Sequence, residues 1–312
     1  MKTYERVYEI LAKSPDFVTG ENLAKELGIS RTAIWKAIQT LQNQGIVITS
    51  VRKKGYRLEK GDILLPQDIS DQLNFPVYLN PDSTSTQLDA KHGMERQDPV
   101  PALYLAPNQG SAKGRFERHF YTTPHGGIYM SIHLKPNCHY TELPPYTMMV
   151  AAGIVKALQR PTGKSADIKW VNDIYLNNKK MAGVLTEAIS SIESGRITDV
   201  IIGVGLNFSI SDFPEELATK ATSLFNSEKP SITRNQLISE IWKLFLTIPT
   251  ADLVKVYKEK SLVLDKQVTF EQAGKSYTGI AKEIGDKGQL LVLTDDGQRK
   301  WLTAGEVSLT SW

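Results

Sequence analysis

The 312-residue chain is 41% hydrophobic and 23% charged, enough apolar content for two or three domains with real cores. Its net charge of +3 is too small to imply a partner by itself, and its single cysteine, Cys138, excludes an internal disulfide and fits a reducing compartment. No apolar run approaches the roughly 20 residues of a membrane helix, and the start MKTYERVYEI lacks the apolar core of a signal peptide, so a soluble cytoplasmic protein with no membrane association is expected.

The first 62 residues read as a DNA-reading head. Val7, Ile10 and Leu11, then Leu23, Ala24 and Leu27, then Ile34, Ile38 and Leu41 recur at helical spacing and predict three amphipathic helices. Gly28 can end the second in the left-handed conformation and Ser30 can cap the third, which leaves the short bend of a helix-turn-helix. The third helix then presents Arg31, Thr32, Trp35, Lys36 and Gln39 away from its apolar stripe, residue types that contact phosphates and base edges in a major groove. Ile46 to Leu58 follows as a wing around the basic turn Arg52-Lys53-Lys54-Gly55. Residues 1–61 hold eleven Lys and Arg against six Asp and Glu, so the rest of the chain is slightly acidic and positive charge is concentrated at this end. From the residues alone, a helical protein-interaction module with a solvated basic hairpin stays open.

After the linker GDILLPQ, Ser83-Thr84-Ser85-Thr86-Gln87 places hydroxyls at the end of an expected strand, where they can meet a polar ligand edge or form local turns. The run from Gln109 to Arg118 has two glycines and the cations Lys113, Arg115 and Arg118, a pattern that fits either phosphate capture or a solvated loop. A helix is predicted from Pro144 to Gln159, closed by Pro161 and Gly163. Gly163-Lys164-Ser165 is not a P-loop end, because Leu158 occupies the first glycine position and the segment leaves a helix rather than entering one.

Apolar residues alternate from Ile168 to Leu176 and again from Met181 to Leu185, around Asn177-Asn178, which describes a hairpin with a tight turn. Asp173 beside Asn172, Lys179-Lys180 at the return, and Gly183 where another group could approach the backbone make it a hairpin that can hold an anion; two lysines at a tip also serve as edge protection. A strand from Asp199 to Ile210 carries Gly203-Val204-Gly205-Leu206-Asn207 without the GxxG helix of a dinucleotide fold. Helices from Asn235 to Leu246 and Thr250 to Lys260 follow. Four strand-like runs between Gln267 and Leu302, with turns at Asp286-Lys-Gly288 and Asp295-Asp-Gly297, predict a small antiparallel barrel. Cys138, His139 and His133 lack further ligands at zinc spacing, so no protein-held metal site is expected, and no G-x-S-x-G elbow occurs.

The wording KWVNDIY, then K-M-A-G-V-L-T-E, resembles the central signature of the biotin protein ligases, with Val171 where proline is usual. GENLAKELGISRTAIWKAIQTLQNQGI resembles the winged helix of their bifunctional ligase/repressor members, and GQLLVL followed by WLTAGEVSL resembles their C-terminal domain. The resemblance implies an α+β multidomain fold: a winged helix-turn-helix over 1–62, a central mixed-sheet α/β ligase domain of the biotin/lipoate ligase type over 63–262, and an SH3-like β-barrel over 263–312. It also implies biotin and ATP as substrates with Mg²⁺, a biotin carboxyl carrier domain as acceptor, and a ligand-promoted homodimer on palindromic operator DNA.

By the same resemblance Ser85, Thr86, Gln87, Gln109, Lys113, Arg115, Lys180 and Gly183 serve biotin, with Ser83-Thr84 a competing register. Arg118, Asn172, Asp173 and Asn207 serve ATP, and the polar stretch 211–230 orders over the nucleotide. Lys180, Arg115 and Asp173 carry the chemistry, with Asp173 orienting or deprotonating the acceptor lysine. Arg31, Thr32, Trp35, Lys36, Arg52, Lys53 and Lys54 serve DNA. The basic loop departs from the family's G-R-G-R-x-x-R at Ala112-Lys113, which implies looser retention of the acyl-adenylate, and the PHGG turn is one residue shorter. A ligand-responsive repressor with weak or no ligase activity is the alternative, and a lipoate ligase lacks both the head and the KWxND hairpin.

Overall fold

The apolar stripes of the N-terminal segment meet in one small core. Helices α1 (Thr3–Lys13), α2 (Gly20–Leu27) and α3 (Arg31–Asn43) bury Val7, Leu11, Leu23, Ile34, Ile38 and Leu41 together, beneath the hairpin of β1 (Val47–Val51) and β2 (Gly55–Lys60). Gly28 ends α2 at φ 67°, and the Ser30 hydroxyl accepts the Ala33 amide at 3.2 Å to start α3. Those two residues set the bend that aims α3 outward. The computed structural model describes residues 1–124, 126–226, 228–303 and 305–309; His125 of the PHGG turn, Ser227 of the polar stretch, Ala304 and residues 310–312 of the C-terminal run lie outside it.

The central body runs α4 (Pro66–Leu73), β3 (Val77–Leu79), α5 (Thr86–Glu95), β4 (Ala102–Ala106), β5 (Gly127–Leu134), β6 (Cys138–His139), α6 (Tyr146–Thr162), β7 (Asp167–Lys169), β8 (Asp173–Leu176), β9 (Lys179–Ser190) and β10 (Arg196–Asn207). It closes with α7 (Glu215–Ala218), α8 (Arg234–Thr247) and α9 (Thr250–Glu259). The sheet is mixed, in the order β3-β4-β5-β10-β9-β8-β7 with β6 beside β10; β3 and β4 are parallel and the other pairs antiparallel. Alternation sends Met130, Ile132, Ile202 and Leu206 into a core with α6 and α8. Residues 131 and 203, one step out of phase, face α5 instead.

Two local departures from the sequence reading matter for the site. The run from Ile168 to Leu176 is two antiparallel strands, not one: Lys169 opposes Asp173, and residues 170–172 turn the chain. Trp170 explains the break, since its indole is buried at 3% exposure and donates to the Gly288 carbonyl at 2.8 Å, which takes the chain out of the strand path. The second departure is α5, which begins at Thr86 where only a strand end was expected. The Asn177-Asn178 turn is as anticipated, with both residues left-handed at φ 52° and 59°.

The C-terminal segment forms a five-stranded antiparallel sheet of β11 (Gln267–Gln272), β12 (Lys275–Ile284), β13 (Leu290–Thr294), β14 (Arg299–Leu302) and β15 (Val307–Leu309), in the order β14-β13-β12-β11-β15. Its buried Val268, Phe270, Ile284, Leu290 and Val292 join the same apolar cluster as the central body. The head keeps a core of its own. Among the described residues no helix is long and apolar enough to cross a membrane. Because a β-branched residue pays heavily for positive φ, Asn178→Val is expected to lose about 1–2 kcal/mol in denaturant unfolding, whereas Asn178→Gly should match or exceed the parent.

Candidate functional site

The turn at 170–172 delivers Asn172 and Asp173 to a cleft on the α5 side of the sheet, and β9 returns Lys180 and Gly183 to the same wall. Lys180 Nζ lies 2.7 Å from Asp173 Oδ1. Its backbone is held on both edges: it opposes Tyr175 across the hairpin, while its amide donates to the Lys220 carbonyl at 2.8 Å and its carbonyl accepts the Thr222 amide at 2.9 Å. Residues 220–222 of the polar stretch thus pack along the lysine strand, and Leu224 and Phe225 just beyond them are sunk into the core.

The basic loop forms the opposite wall. A short antiparallel contact between Lys113 and His119 narrows it, Gly114 donates to the Arg118 carbonyl at 2.8 Å, and Phe116 and Glu117 both sit at positive φ. Arg115 is partly buried and donates to Asn172 Oδ1 at 3.2 Å. Burial lowers its pKa, while Asp173 and Glu306 nearby favour its charge. Arg118 reaches Glu306 Oε2 at 2.6 Å, which ties the loop to the C-terminal sheet domain, and Lys113 pairs with Glu117. Lys180 and Arg115, from segments 65 positions apart in the chain, therefore share one cavity.

The polar end of the cleft is built at the start of α5. Thr86 donates its amide to Gln109 Oε1 at 2.7 Å and its hydroxyl lies 2.9 Å from that of Ser131; Ser131 in turn donates to Gln87 Oε1 at 2.8 Å. A Cβ on Gly203 would stand 2.6 Å from that same Gln87 oxygen, so glycine is what lets Gln87 lie against β10. Ser85, Thr86 and Gln87 line the cavity, whereas Ser83 is turned to Asp89 at 2.5 Å. The register at 85–87 is the one brought to the cleft.

Asn207, expected at the nucleotide, is not part of this cleft's lining. It is buried at the end of β10, and its amide donates to the Thr222 carbonyl at 3.0 Å, so it anchors the stretch that backs Lys180. The other residues assigned individually to biotin or ATP line the cleft, whereas Ser83, Thr84 and the 211–230 stretch are not part of its lining. Sequence reasoning missed Ser131, Phe120 and Glu306, which also line it. Ser131 left a signal, a hydroxyl inside the apolar strand GIYMSIHL; Glu306 lies in the run WLTAGEVSL, whose resemblance to the C-terminal domain pointed to no role in the cleft. Lys91 of α5 and Glu187 of the K-M-A-G-V-L-T-E run meet at 3.0 Å.

On the head, Arg31, Thr32, Trp35, Lys36 and Gln39 all lie exposed along α3, with Trp35 at 54%. Arg52, Lys53 and Lys54 are exposed at the wing tip. Arg57, by contrast, is pinned to Glu59 at 2.8 Å and stacked on Phe17. The described residues contain no group of three His, Cys, Asp or Glu side chains poised for a metal.

Residues 4–57 match the HTH domain model, residues 79–207 the biotin/lipoate A/B protein ligase family, and residues 263–310 the biotin protein ligase C-terminal domain. The bifunctional ligase/repressor BirA of Bacillus subtilis is 31% identical over 304 residues, covering 93% of each chain, and that of Escherichia coli is 26% identical over 96% of this chain and 95% of its own. The biotin protein ligase from Aquifex aeolicus in complex with biotin and ATP superposes with a TM-score of 0.62 at 25% identity, over 75% of this chain and 97% of that one. With the head, the central body and the C-terminal sheet all matched, and relatives aligned nearly end to end, the chain belongs to the bifunctional ligase/repressor BirA family.

Proposed function

We propose that this chain joins biotin to a lysine of a biotin carboxyl carrier domain at the expense of ATP, and that the same protein represses transcription as a ligand-promoted homodimer on palindromic operator DNA. The observation that carries the reading is the convergence of Lys180, Arg115 and Arg118 on one cleft whose far end is polar and uncharged. A ligand with an anionic end and a hydrogen-bonding end fits that polarity. Membership of the family and the Aquifex relative's complex with biotin and ATP support it.

In this reading Ser85, Thr86, Gln87 and Gln109 hold the ureido end of biotin, and Lys180 with Lys113 and Arg115 holds its carboxylate beside Gly183. Arg118, Asn172 and Asp173 face the nucleotide, and Asn207 acts on it only through the segment it anchors. A carboxylate oxygen attacks the α-phosphorus, pyrophosphate leaves, and the cations offset the charge that builds on the phosphoryl oxygens. The acceptor amine then attacks the acyl carbon and AMP departs. Asp173, 2.7 Å from Lys180, orients the amine or takes its proton once the ligand has drawn Lys180 away.

Asp173 and Glu306 are the carboxylates on the cleft wall, a sparse set that suits Mg²⁺ carried in on ATP phosphates rather than caged by protein. Bound there, Mg²⁺ would supply neutralisation of the departing pyrophosphate. We further propose three working units, 1–62, 63–262 and 263–312, in a cytoplasmic protein.

Incubation with ATP, labelled biotin and a carrier domain tests the reading: label should reach the carrier, and Lys180→Ala should cut biotin-dependent pyrophosphate exchange by at least about 100-fold. Absence of exchange in the parent chain would leave only a ligand-responsive repressor. Gly203→Ala, which forces Gln87 aside, should raise the KM for biotin about tenfold, equivalent to about 1.4 kcal/mol, with the KM for ATP little changed. On the head, Lys53→Ala should weaken operator binding and lower the slope of log affinity against log salt by about one.

A further inference from the structure

Arg234 is 1% exposed, lies outside the cleft lining, and no step above uses it. Its Nε donates to Asp62 Oδ1 at 2.6 Å, its backbone amide to Asp62 Oδ2 at 2.5 Å, one terminal nitrogen to the Asp62 carbonyl at 2.6 Å and the other to the Gly127 carbonyl at 3.3 Å. Asn235, the next residue of α8, accepts the Leu65 amide at 2.9 Å and donates to the Ile63 carbonyl at 2.8 Å. All of these partners lie in the linker between head and body, apart from Gly127, the first residue of β5.

The linker side chains alternate between the two bodies. Ile63 and Leu65 are buried in the head core, and Leu64 in the body core. Tyr8 of the head lies close enough for burial and the Asp62 carboxylate to raise its pKa, with Arg234 opposing. Beside this knot the two bodies are parted by a cleft of about 1020 Å³, with Leu11, Val47 and Lys60 on the head side and Phe208, Ser231 and Gln236 on the other. Domains joined across open space move by default. Here the linker is fastened instead.

We infer that the Asp62–Arg234 clamp is a specificity-determining element for DNA: by fixing each head on its body, it restricts a dimer to one separation between operator half-sites. This rests on the proposed reading of a dimer bound to an inverted repeat. Adding one base pair between half-sites turns one relative to the other by about 34–36° as well as displacing it. A swivelling head absorbs that change, and a clamped one does not.

The test is selection of bound duplexes from a random-sequence library, in the presence of biotin and ATP, followed by sequencing. Wild-type protein should enrich an inverted repeat with one dominant separation. The double variant Asp62→Leu/Arg234→Met replaces the buried pair by apolar groups, an exchange that proteins often tolerate, and Asp62→Asn keeps the shape while removing the charge. Each should enrich the same half-site with separations spread over about three or more base-pair steps, with biotin-dependent pyrophosphate exchange within twofold of wild type as the check on folding. Separations as narrow as wild type in either active variant would overturn the clamp, as would a wild-type distribution that is already broad. Failure of wild type to enrich any inverted repeat would overturn the dimeric-operator reading itself, and the clamp with it.

Discussion

Four cations at one cleft are each already matched to a protein oxygen: Lys180 to Asp173, Arg115 to Asn172, Arg118 to Glu306, and Lys113 to Glu117. Unpaired positive charge crowded on a half-buried wall repels itself and resists desolvation. Internal partners allow the wall to form before any ligand arrives. The outer pairs, Lys113 with Glu117 and Arg118 with Glu306, are largely exposed and screened by water, so phosphate or carboxylate oxygens can replace them at small cost. Ligand capture becomes an exchange of partners.

That exchange requires both walls to hold their shape, and the scaffold supplies this from several directions. β9 and the segment at 220–222 grip Lys180 along its backbone, while Asn207 fastens the segment to the end of β10. The loop opposite is steadied by the C-terminal domain through Glu306, and the turn at 170–172 by the same domain through the Trp170 indole and the Gly288 carbonyl. The C-terminal sheet domain is therefore part of the cleft's frame. Its apolar residues belong to the body's core for the same reason.

Sequence patterns revealed the parts whose cause is local. Helical spacing with Gly28 and Ser30 marked the head, and Asn177-Asn178 marked a turn whose residues tolerate positive φ. Lys180 and the basic loop stood out through their resemblance to family motifs, since from the residues alone edge protection and a solvated loop stayed open. What stayed hidden depends on distant partners. The alternation from Ile168 to Leu176 looked continuous, since the break depends on such partners: Gly288 for Trp170, Tyr257 for Val171 and Val184 for Asn172. Helix α5 carries little apolar periodicity of its own and is specified by Ser131, Gln109 and the sheet beneath it. Glu306 and Arg234 gained their roles from contacts 188 and 172 positions away.

Lys180 combines a backbone hydrogen-bonded along both edges with a four-carbon arm ending in charge. Its point of attachment is fixed, and only the reach varies. With the hydroxyl and amide groups of Thr86, Gln87 and Ser131 hydrogen-bonded to one another at the other end, the proposed reading makes the cleft a gauge of how many methylenes separate a guest's ring from its acid. On that reading a tail too short leaves the ammonium stretching for it, and one too long must buckle inside the cleft.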